Sequence, residues 1–437
     1  MADELLTTLN HLKTILPIVE KNITEKTIAA VSPKIIEPAN DDIPMVFITG
    51  EIPTSKKYVQ GEIEYKSKTN SFHAYTYIKL QGNSSLLYPK KNFTINLYAN
   101  KDRNIKLNKE FKNWGAHNNF VLKADYIDIL HARNVVSAKL WGKVVSSRAD
   151  YDTLPDGLRS SPNNGATDGF PIKVFINGEY QGLYNWTIPK CDWMFGVDGK
   201  NSNHFVLCAE TNDNGNTSYR YNPCNFNQPW SGIDGENWSI EVGEGNDSLT
   251  NNLNTLIEAV ATSHMPLLDE VLDVQSAIDY FVFQDIILGT DGLAKNMILM
   301  KYDDLKWHLS AYDMDSTFDL GWQGQILNCY DADFNFVPPF NNKYSQLLAL
   351  LLNEYPSEMR DRYIQLRNGV LSEQSIISEF EEYVGIFGED LYIQDTITYP
   401  DIPSVTTNNL INLKRFILSH LSFLDSKYKY NVLRGGN

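Results

Sequence analysis

The sequence predicts an α+β fold in which a strand-rich N-terminal part is followed by a mostly helical C-terminal part. Between residues 44 and 186, short apolar runs alternate with polar turns, and Asn177-Gly178 between two of them is a strong signal for a two-residue β-hairpin. After about residue 245, apolar residues recur at helical spacing. This order indicates two lobes, a β-rich N-lobe and a helical C-lobe.

The predicted strands of the N-terminal part share a length of four to eight residues and an enrichment in β-branched and aromatic side chains. They cover residues 45–48, 58–65, 74–80, 92–98, 120–123, 172–176 and 180–186. One helix interrupts them, with Asp128 as its predicted N-cap and an apolar face that begins at Leu130.

In the C-terminal part the predicted helices cover residues 249–262, 274–288, 344–353, 357–368, 373–387 and 407–428. A short strand pair, 297–301 and 306–310, divides them. The region 198–245 is rich in Asn, Gly and Trp and is predicted to form long loops, inserted over the cleft. A carbohydrate-binding appendage is an alternative that rests on these loops alone.

Residues 1–40 are predicted to form an N-terminal helical stub. Six apolar residues recur there at alternating spacings of four and three, namely Leu5, Leu9, Leu12, Leu16, Val19 and Ile23. Either the stub makes homo-oligomers or docks to a partner, or it is an amphipathic helix packed on the body. The predicted division is therefore 1–40 for the stub, 41–190 for the N-lobe and 191–437 for the C-lobe.

Composition limits the classes of partner. Thirty-eight basic and 54 acidic residues give a net charge of −16, which argues against nucleic acid as the main partner. No stretch reaches about 18 uninterrupted apolar residues, so no membrane span is predicted. The start of the chain lacks the apolar region of a secretion signal, and we expect synthesis in the cytoplasm. The four cysteines have no zinc-ligand spacing and are predicted to be buried thiols.

A glycine-containing turn follows the third predicted strand. In Gly82-Asn83-Ser84-Ser85, small residues between two strands can bring backbone N–H groups close to phosphates, although an ordinary hairpin turn has the same composition. Lys91 shares the two-residue period of the apolar side chains in the next strand. An anionic partner is expected for a lysine on that face, which makes Lys91 a better candidate than Lys90 for a phosphate ligand. A lysine at the end of a strand that reaches solvent is the alternative.

Acidic and amide residues form a second constellation. Asp291 is followed five residues later by Asn296, and Asp313 and Asp315 come directly after an apolar strand. Phosphoryl transfer uses a carboxylate that orients the attacking hydroxyl, together with amide and carboxylate oxygens that hold Mg²⁺. A carboxylate on the segment before the first helix, Asp125 or Asp128, is a candidate for orienting Lys91.

Taken together, these stretches resemble the CotH family of atypical protein kinases, named after spore-coat protein H. The matching stretches occur in the family's order and are Gly82-Asn83-Ser84-Ser85 with Lys90-Lys91, Arg133 to Ala138, Asn177 to Tyr184, Asp291-Gly292-Leu293 with Asn296, and Asp313 to Phe318. The resemblance implies a kinase-like two-lobed fold that transfers the γ-phosphoryl group of ATP to Ser or Thr hydroxyls of a protein substrate.

The resemblance also implies roles for individual residues. Asp291 and Asp313 correspond to catalytic residues, and Lys91, with the turn from Gly82 to Ser85, corresponds to the ATP phosphate site. Asn296 and Asp313, assisted by Asp315, correspond to the ligands of Mg²⁺.

The chain departs from the family pattern at two positions. Ile188-Pro189 stands where the family usually carries a Glu, and Asp319 stands where the family commonly has Gly. Either change could leave a kinase fold without turnover. The alternative function is then a non-catalytic structural component of a virion, since similar domains occur in bacteriophage tail and baseplate proteins. A virion or a spore coat is accordingly the expected destination.

Overall fold

A computed structural model describes residues 43–210, 226, 228–289, 291–292, 295–303, 306–334 and 345–430. The predicted helical stub at residues 1–40 lies outside these residues, so its helix and its role in assembly stay predictions. Most of the predicted loop region and the whole acidic and amide constellation lie inside them.

The described part of the chain contains strands first, then helices around a second set of strands. The strands are β1 (Met45–Gly50), β2 (Val59–Lys66), β3 (Ser71–Gln81), β4 (Asn92–Tyr98), β5 (Lys109–Glu110), β6 (Ala116–His117), β7 (Asn119–Lys123), β8 (Gly169–Ile176), β9 (Glu179–Thr187), β10 (Phe205–Ala209), β11 (Trp238–Val242), β12 (Met297–Lys301) and β13 (Trp307–Ala311). The helices are α1 (Arg133–Ser146), α2 (Asp156–Ser160), α3 (Asp192–Phe195), α4 (Asp247–Ala261), α5 (Met265–Val271), α6 (Val274–Ile287), α7 (Gln346–Glu354), α8 (Pro356–Asn368), α9 (Glu373–Phe387), α10 (Glu389–Thr398) and α11 (Leu410–Lys427).

Seven strands close into a barrel in the order β1, β2, β3, β4, β7, β9, β8. Neighbouring strands are antiparallel except at the closure, where β1 runs parallel to β8 and Val46 lies opposite Val174. Side chains alternate between the interior and the surface, as in β2, where every second residue from Gly61 is buried. The individual strands were predicted, but the closure was not.

A separate four-stranded antiparallel sheet has the order β11, β10, β12, β13. Its first two strands lie in the region 198–245, so the prediction of long loops was wrong for residues 205–209 and 238–242. Every residue of β10 is buried, and the strand therefore lacks the polar and apolar alternation by which a strand is recognised. Residues 211–225 and 227 lie outside the described part.

The six helices predicted after residue 245 are confirmed, and they correspond to α4, α6, α7, α8, α9 and α11. Two further helices were not predicted, because each begins where its predecessor has just ended. A left-handed residue separates each pair, Ser263 before α5 and Gly388 before α10. Nearly all of α6 is buried, and this helix packs against α1, α8 and β13.

The helix after the fifth barrel strand begins later than predicted. Helix α1 starts at Arg133, and Asp128 is not its N-cap residue. The Asp128 carboxylate nevertheless caps the helix from outside, because it accepts hydrogen bonds from the backbone N–H groups of Ala132 (3.1 Å) and Arg133 (2.8 Å). It also forms an ion pair with the Arg133 guanidinium. Asp128 therefore has the predicted capping role, although it lies five positions before the first residue of the helix.

A buried cluster of ionisable groups joins α10 to the barrel. The Lys90 ammonium lies 3.0 Å from Oδ1 of Asp395, and Nε2 of His131 lies 3.0 Å from Oδ2 of the same carboxylate. All three side chains are fully buried. Burial opposes ionisation, but Lys90 and His131 hold the pKa of Asp395 well below its usual value. We call these three residues the Lys90 cluster.

The observed elements confirm the α+β class. No helix of the described part is long and apolar enough to cross a membrane. The kinase-like arrangement of two lobes stays a prediction.

Candidate active site

The two carboxylates of the Asp-x-Asp pair lie in the loop that follows β13. All five residues of this strand are buried, and the loop begins at the next residue. Asp313 has a left-handed backbone with φ +52, and the next amide, Met314 N–H, donates to Oδ1 of Asn134 on α1 (3.1 Å). Helix α1 therefore holds the loop in the conformation that presents Asp313 and Asp315 together.

Asp291 and Asn296 lie in the connection between α6 and β12, and the structure brings them together. Nδ2 of Asn296 donates to Oδ2 of Asp291 at 3.1 Å. The backbone N–H of Asn296 donates to the Ala209 carbonyl at 3.2 Å, which ties this connection to the end of β10. Asn296 also has a left-handed backbone, with φ +62. An amide whose nitrogen is engaged in this way can offer its oxygen to a cation.

Lys123, the last residue of the fifth barrel strand, contacts the site directly. Its Nζ lies 2.9 Å from Oδ1 of Asp313, with 13% of the lysine side chain and 34% of the aspartate side chain exposed. Burial opposes its charge, but Asp313 holds the pKa of Lys123 above its usual value. Sequence reasoning missed this lysine. The available signal was its place at the end of a buried strand, directly before the segment that leads into α1.

The carboxylates of the site differ in their ionisation. Burial alone would raise the pKa of Asp313. The positive charge of Lys123, with smaller contributions from Lys295 and Lys190, outweighs burial and lowers this pKa. At Asp315, burial, Asp313, Asp125 and Asp291 together raise the pKa well above its usual value. The surroundings therefore favour the charged form of Asp313 and the neutral form of Asp315.

This donor set fits a hard divalent cation. Carboxylate and amide oxygens from Asn296, Asp313 and Asp315 are the ligand types that Mg²⁺ prefers. A cation would also supply the positive charge that Asp315 needs in order to ionise. Asp291 and Asp313 both raise the pKa of Asp315, and Asn296 is hydrogen-bonded to Asp291, although β12 and β13 separate Asp291 from Asp313 in the chain.

The turn from Gly82 to Ser85 leads from β3 into a short helical segment, and its role in phosphate binding stays a prediction. Gly82 has φ +103, and a Cβ at this position would lie 2.0 Å from Oγ of Ser85, so glycine is required. Residues Ser84–Leu87 form a short 3₁₀ helix after Asn83. Oγ of Ser85 accepts from Nδ2 of Asn92 (3.2 Å), and Oδ1 of Asn92 accepts from the N–H of Ala124 (2.7 Å). The turn is thereby connected to the residue that follows Lys123.

Lys91 does not meet the anionic partner that was expected among the described residues. Its ammonium donates to the carbonyl oxygens of Leu86 (2.7 Å) and Tyr88, which end the 3₁₀ helix. The neighbouring Lys90 is the deeply buried lysine of this pair, in the Lys90 cluster. The role of Lys91 in phosphate binding stays a prediction.

The two candidate orienting carboxylates have other partners. Asp128 pairs with Arg133, and Oδ2 of Asp125 accepts from Nδ2 of Asn185 (2.7 Å). The expectation that either of them orients Lys91 is therefore wrong for the conformation described. Burial raises the pKa of Asp125, and its left-handed backbone (φ +45) follows Lys123 by two residues. Asp125 belongs to the surroundings of the acidic site rather than to the turn.

Both departures from the family pattern are accommodated locally. Ile188 is buried, and its backbone N–H donates to the Asp168 carbonyl at 3.2 Å. Asp319 has φ +71, the left-handed conformation that glycine adopts most easily. Its Oδ1 accepts from the Cys329 N–H at 2.9 Å, and burial raises its pKa to about 6. The Asp319 side chain thus stabilises the loop through a hydrogen bond that a glycine could not make.

Comparison with known proteins identifies the family. Residues 78–417 match the family model described as CotH kinase protein, a range that contains the turn at Gly82, Lys123 and all four residues of the acidic and amide constellation. Among curated proteins, none matches the sequence. Because the match covers most of the chain, the protein belongs to the CotH kinase family.

Proposed function

We propose that this protein transfers the γ-phosphoryl group of ATP to Ser or Thr hydroxyls of a protein substrate, with Mg²⁺ as cofactor. The observation that carries the proposal is the ion pair of Lys123 with Asp313, beside Asp315 and the hydrogen-bonded pair of Asp291 and Asn296. The proposed arrangement is kinase-like, with the nucleotide between the strand-rich N-lobe and the helical C-lobe.

The residues divide the work of binding. Asp313, Asp315 and Asn296 would hold Mg²⁺, which neutralises charge on the phosphates when it is bound. Lys123 would contact a phosphate oxygen, since its ammonium already lies at the edge of the carboxylate cluster. Backbone N–H groups of the turn from Gly82 to Ser85 would face the phosphates from the barrel side.

Asp291 is the proposed catalytic carboxylate. It orients the acceptor hydroxyl and takes its proton while the hydroxyl oxygen bonds to the γ-phosphorus and the bond to the ADP oxygen breaks. The hydrogen bond from Asn296 fixes the Asp291 side chain in one orientation, and a fixed orientation is what in-line attack requires.

Thermal unfolding with and without MgATP tests the proposal without knowledge of the substrate. Ligand at about 100 times its Kd adds roughly 2.7 kcal/mol to the stability of the folded state. We expect MgATP to raise the Tm of the wild type and not that of Asp313→Ala. A matched control is Asp156→Ala, which removes an aspartate with 94% of its side chain exposed and should keep the full shift. A wild type without any shift would overturn the proposal.

A structural role in a phage tail or baseplate, or in a spore coat, is the second candidate, and the heptad pattern of residues 1–40 favours it. This candidate predicts a homo-oligomer assembled through those residues. Light scattering of the full chain and of a variant without residues 1–40 tests it. A full chain that is already a monomer would contradict the assembly.

A further inference from the structure

A second polar cluster borders the proposed metal site. Asn296 is hydrogen-bonded to Ala209 at the end of β10, and Cys208 and Glu210 flank that residue. Glu241 lies on the neighbouring strand β11. The Sγ of Cys208 and one carboxylate oxygen from each glutamate all lie within 4.8 Å of one another. One end of the four-stranded sheet therefore carries two polar clusters beside each other.

The ammonium of Lys190 provides the positive charge of this second cluster. It forms an ion pair with Glu241 and lies 4.9 Å from the centre of the Tyr312 ring. The Oγ of Ser239 lies 2.8 Å from Oε1 of Glu241, which fixes that carboxylate. Burial raises the pKa of Cys208 to about 12, so the thiol is neutral. A lysine thus stands among ligands that would otherwise suit a metal ion.

Lys190 also lies beside the loop that follows β13, because it contacts Tyr312 and Tyr312 directly precedes Asp313. One fifth of the Lys190 side chain is exposed, so its charge is only partly screened by water. The lysine therefore places a fixed positive charge beside the carboxylates without being one of their direct partners in the described contacts.

We propose that Lys190 is a positioning residue of the phosphate site, whose charge favours nucleotide phosphates and opposes free Mg²⁺. This role rests on the proposed function. Asp291, Asp313 and Asp315 alone would attract a cation and repel a polyphosphate. Lys190 offsets that repulsion, and Glu241 sets how much of its charge remains effective. The Lys190–Glu241 pair therefore provides a partial positive charge beside the acidic site.

Two variants with opposite expected effects test this role. Lys190→Met removes the positive charge, so free Mg²⁺ should bind several-fold tighter while MgATP binds about tenfold weaker, the effect of one partly screened charge at short range. Glu241→Gln removes the counter-charge, so both shifts should reverse. Lys190→Arg keeps the charge and should remain close to the wild type. Isothermal titration calorimetry of the full chain, with MgCl₂ alone and with MgATP, measures all four proteins.

The signs of these shifts decide the outcome. A role in packing alone would weaken both ligands in both charge-removing variants, and that result would overturn the proposal, as would unchanged affinities. If Lys190→Met does not fold, Glu241→Gln and Lys190→Arg still decide it. If the wild type binds MgATP but the affinity changes of Lys190→Met and Glu241→Gln do not have opposite signs, only the role of Lys190 is contradicted. A wild type that binds neither ligand contradicts the proposed function and this role with it.

Discussion

The Lys90 cluster and the acidic site, made of Asp291, Asp313 and Asp315, solve the problem of buried charge in different ways. In the first, Lys90, His131 and the Leu183 N–H all contact one carboxylate, and the side chains are fully buried. In the second, Asp313 pairs with Lys123 but keeps 34% of its side chain exposed, and the surroundings of Asp315 raise its pKa. The first cluster is closed to solvent, and the second is open to it.

The two clusters differ in what they contribute to the protein. A buried charge without a partner lowers stability, so a protein that retains several carboxylates together sacrifices stability there unless a ligand binds. A closed cluster such as that of Lys90 can contribute to folding but cannot accept a ligand. Exposure therefore makes the acidic site, of these two clusters, the one that a ligand can reach.

The largest effect is expected from breaking the closed cluster. Asp395→Asn leaves the Lys90 ammonium buried without a counter-charge and should cost about 3 to 5 kcal/mol of unfolding free energy. Chemical denaturation measures this loss. Asp390→Asn, an exposed change on the same helix, is the matched control and should alter stability by less than about 0.5 kcal/mol. Equal stabilities of the two variants would contradict the assignment.

Removing the proposed base should affect catalysis and spare folding. In Asp291→Asn we expect phosphotransfer to fall about 10² to 10⁴-fold, because no carboxylate then takes the hydroxyl proton. MgATP should still raise the Tm, since the proposed metal ligands remain. Transfer of labelled phosphate from ATP to protein gives the rate, and undiminished transfer would exclude Asp291 as the base.

Removing the lysine of the acidic site should have a smaller effect on stability than breaking the Lys90 cluster. Lys123→Met takes away the ion pair with a partly exposed Asp313, at a cost of about 1 to 2 kcal/mol. The binding of MgATP should weaken, because a phosphate contact is lost. Denaturation and calorimetry on the same preparation compare the two losses. A variant that binds MgATP like the wild type would return the phosphate role to Lys91.

The smallest effect is expected from Asp319, outside both clusters. Its folded pKa of about 6 exceeds that of an unfolded aspartate, so its ionisation disfavours the folded state at high pH. Asp319→Asn should therefore stabilise the protein by about 1 kcal/mol at pH 8, a value reduced for solvent screening. The gain should fade between pH 6 and pH 4. A gain that persists at pH 4 would contradict this origin.

Local patterns predicted most of the elements and long-range contacts decided the rest. The two-residue period of β4 correctly indicates that Phe93, Ile95 and Leu97 are buried. The same period favoured Lys91 as the lysine that needs an anion. The 3₁₀ helix before the strand provides carbonyl partners for Lys91 instead, and no sequence period reports such a contact.

The acidic site shows the same division. The spacing of Asp291, Asn296, Asp313 and Asp315 was sufficient to select them, because they flank two paired strands. Lys123 reaches Asp313 across 190 positions of the chain, so its role depends on how the barrel meets the second sheet. Strand β10 was missed for a related reason, since a fully buried strand lacks alternation.

Closure of the barrel has a consequence for the order of folding during synthesis. Met45 pairs with Lys173, and this parallel contact joins the first and sixth strands to be made among the seven. Until β8 leaves the ribosome, β1 lacks one of its two neighbours and presents an unpaired edge. The entropy of closing so long a loop must also be overcome before the contact forms, so this step is expected to be slow. A nascent chain arrested between β7 and β8 would therefore be the form most open to chaperones and to aggregation.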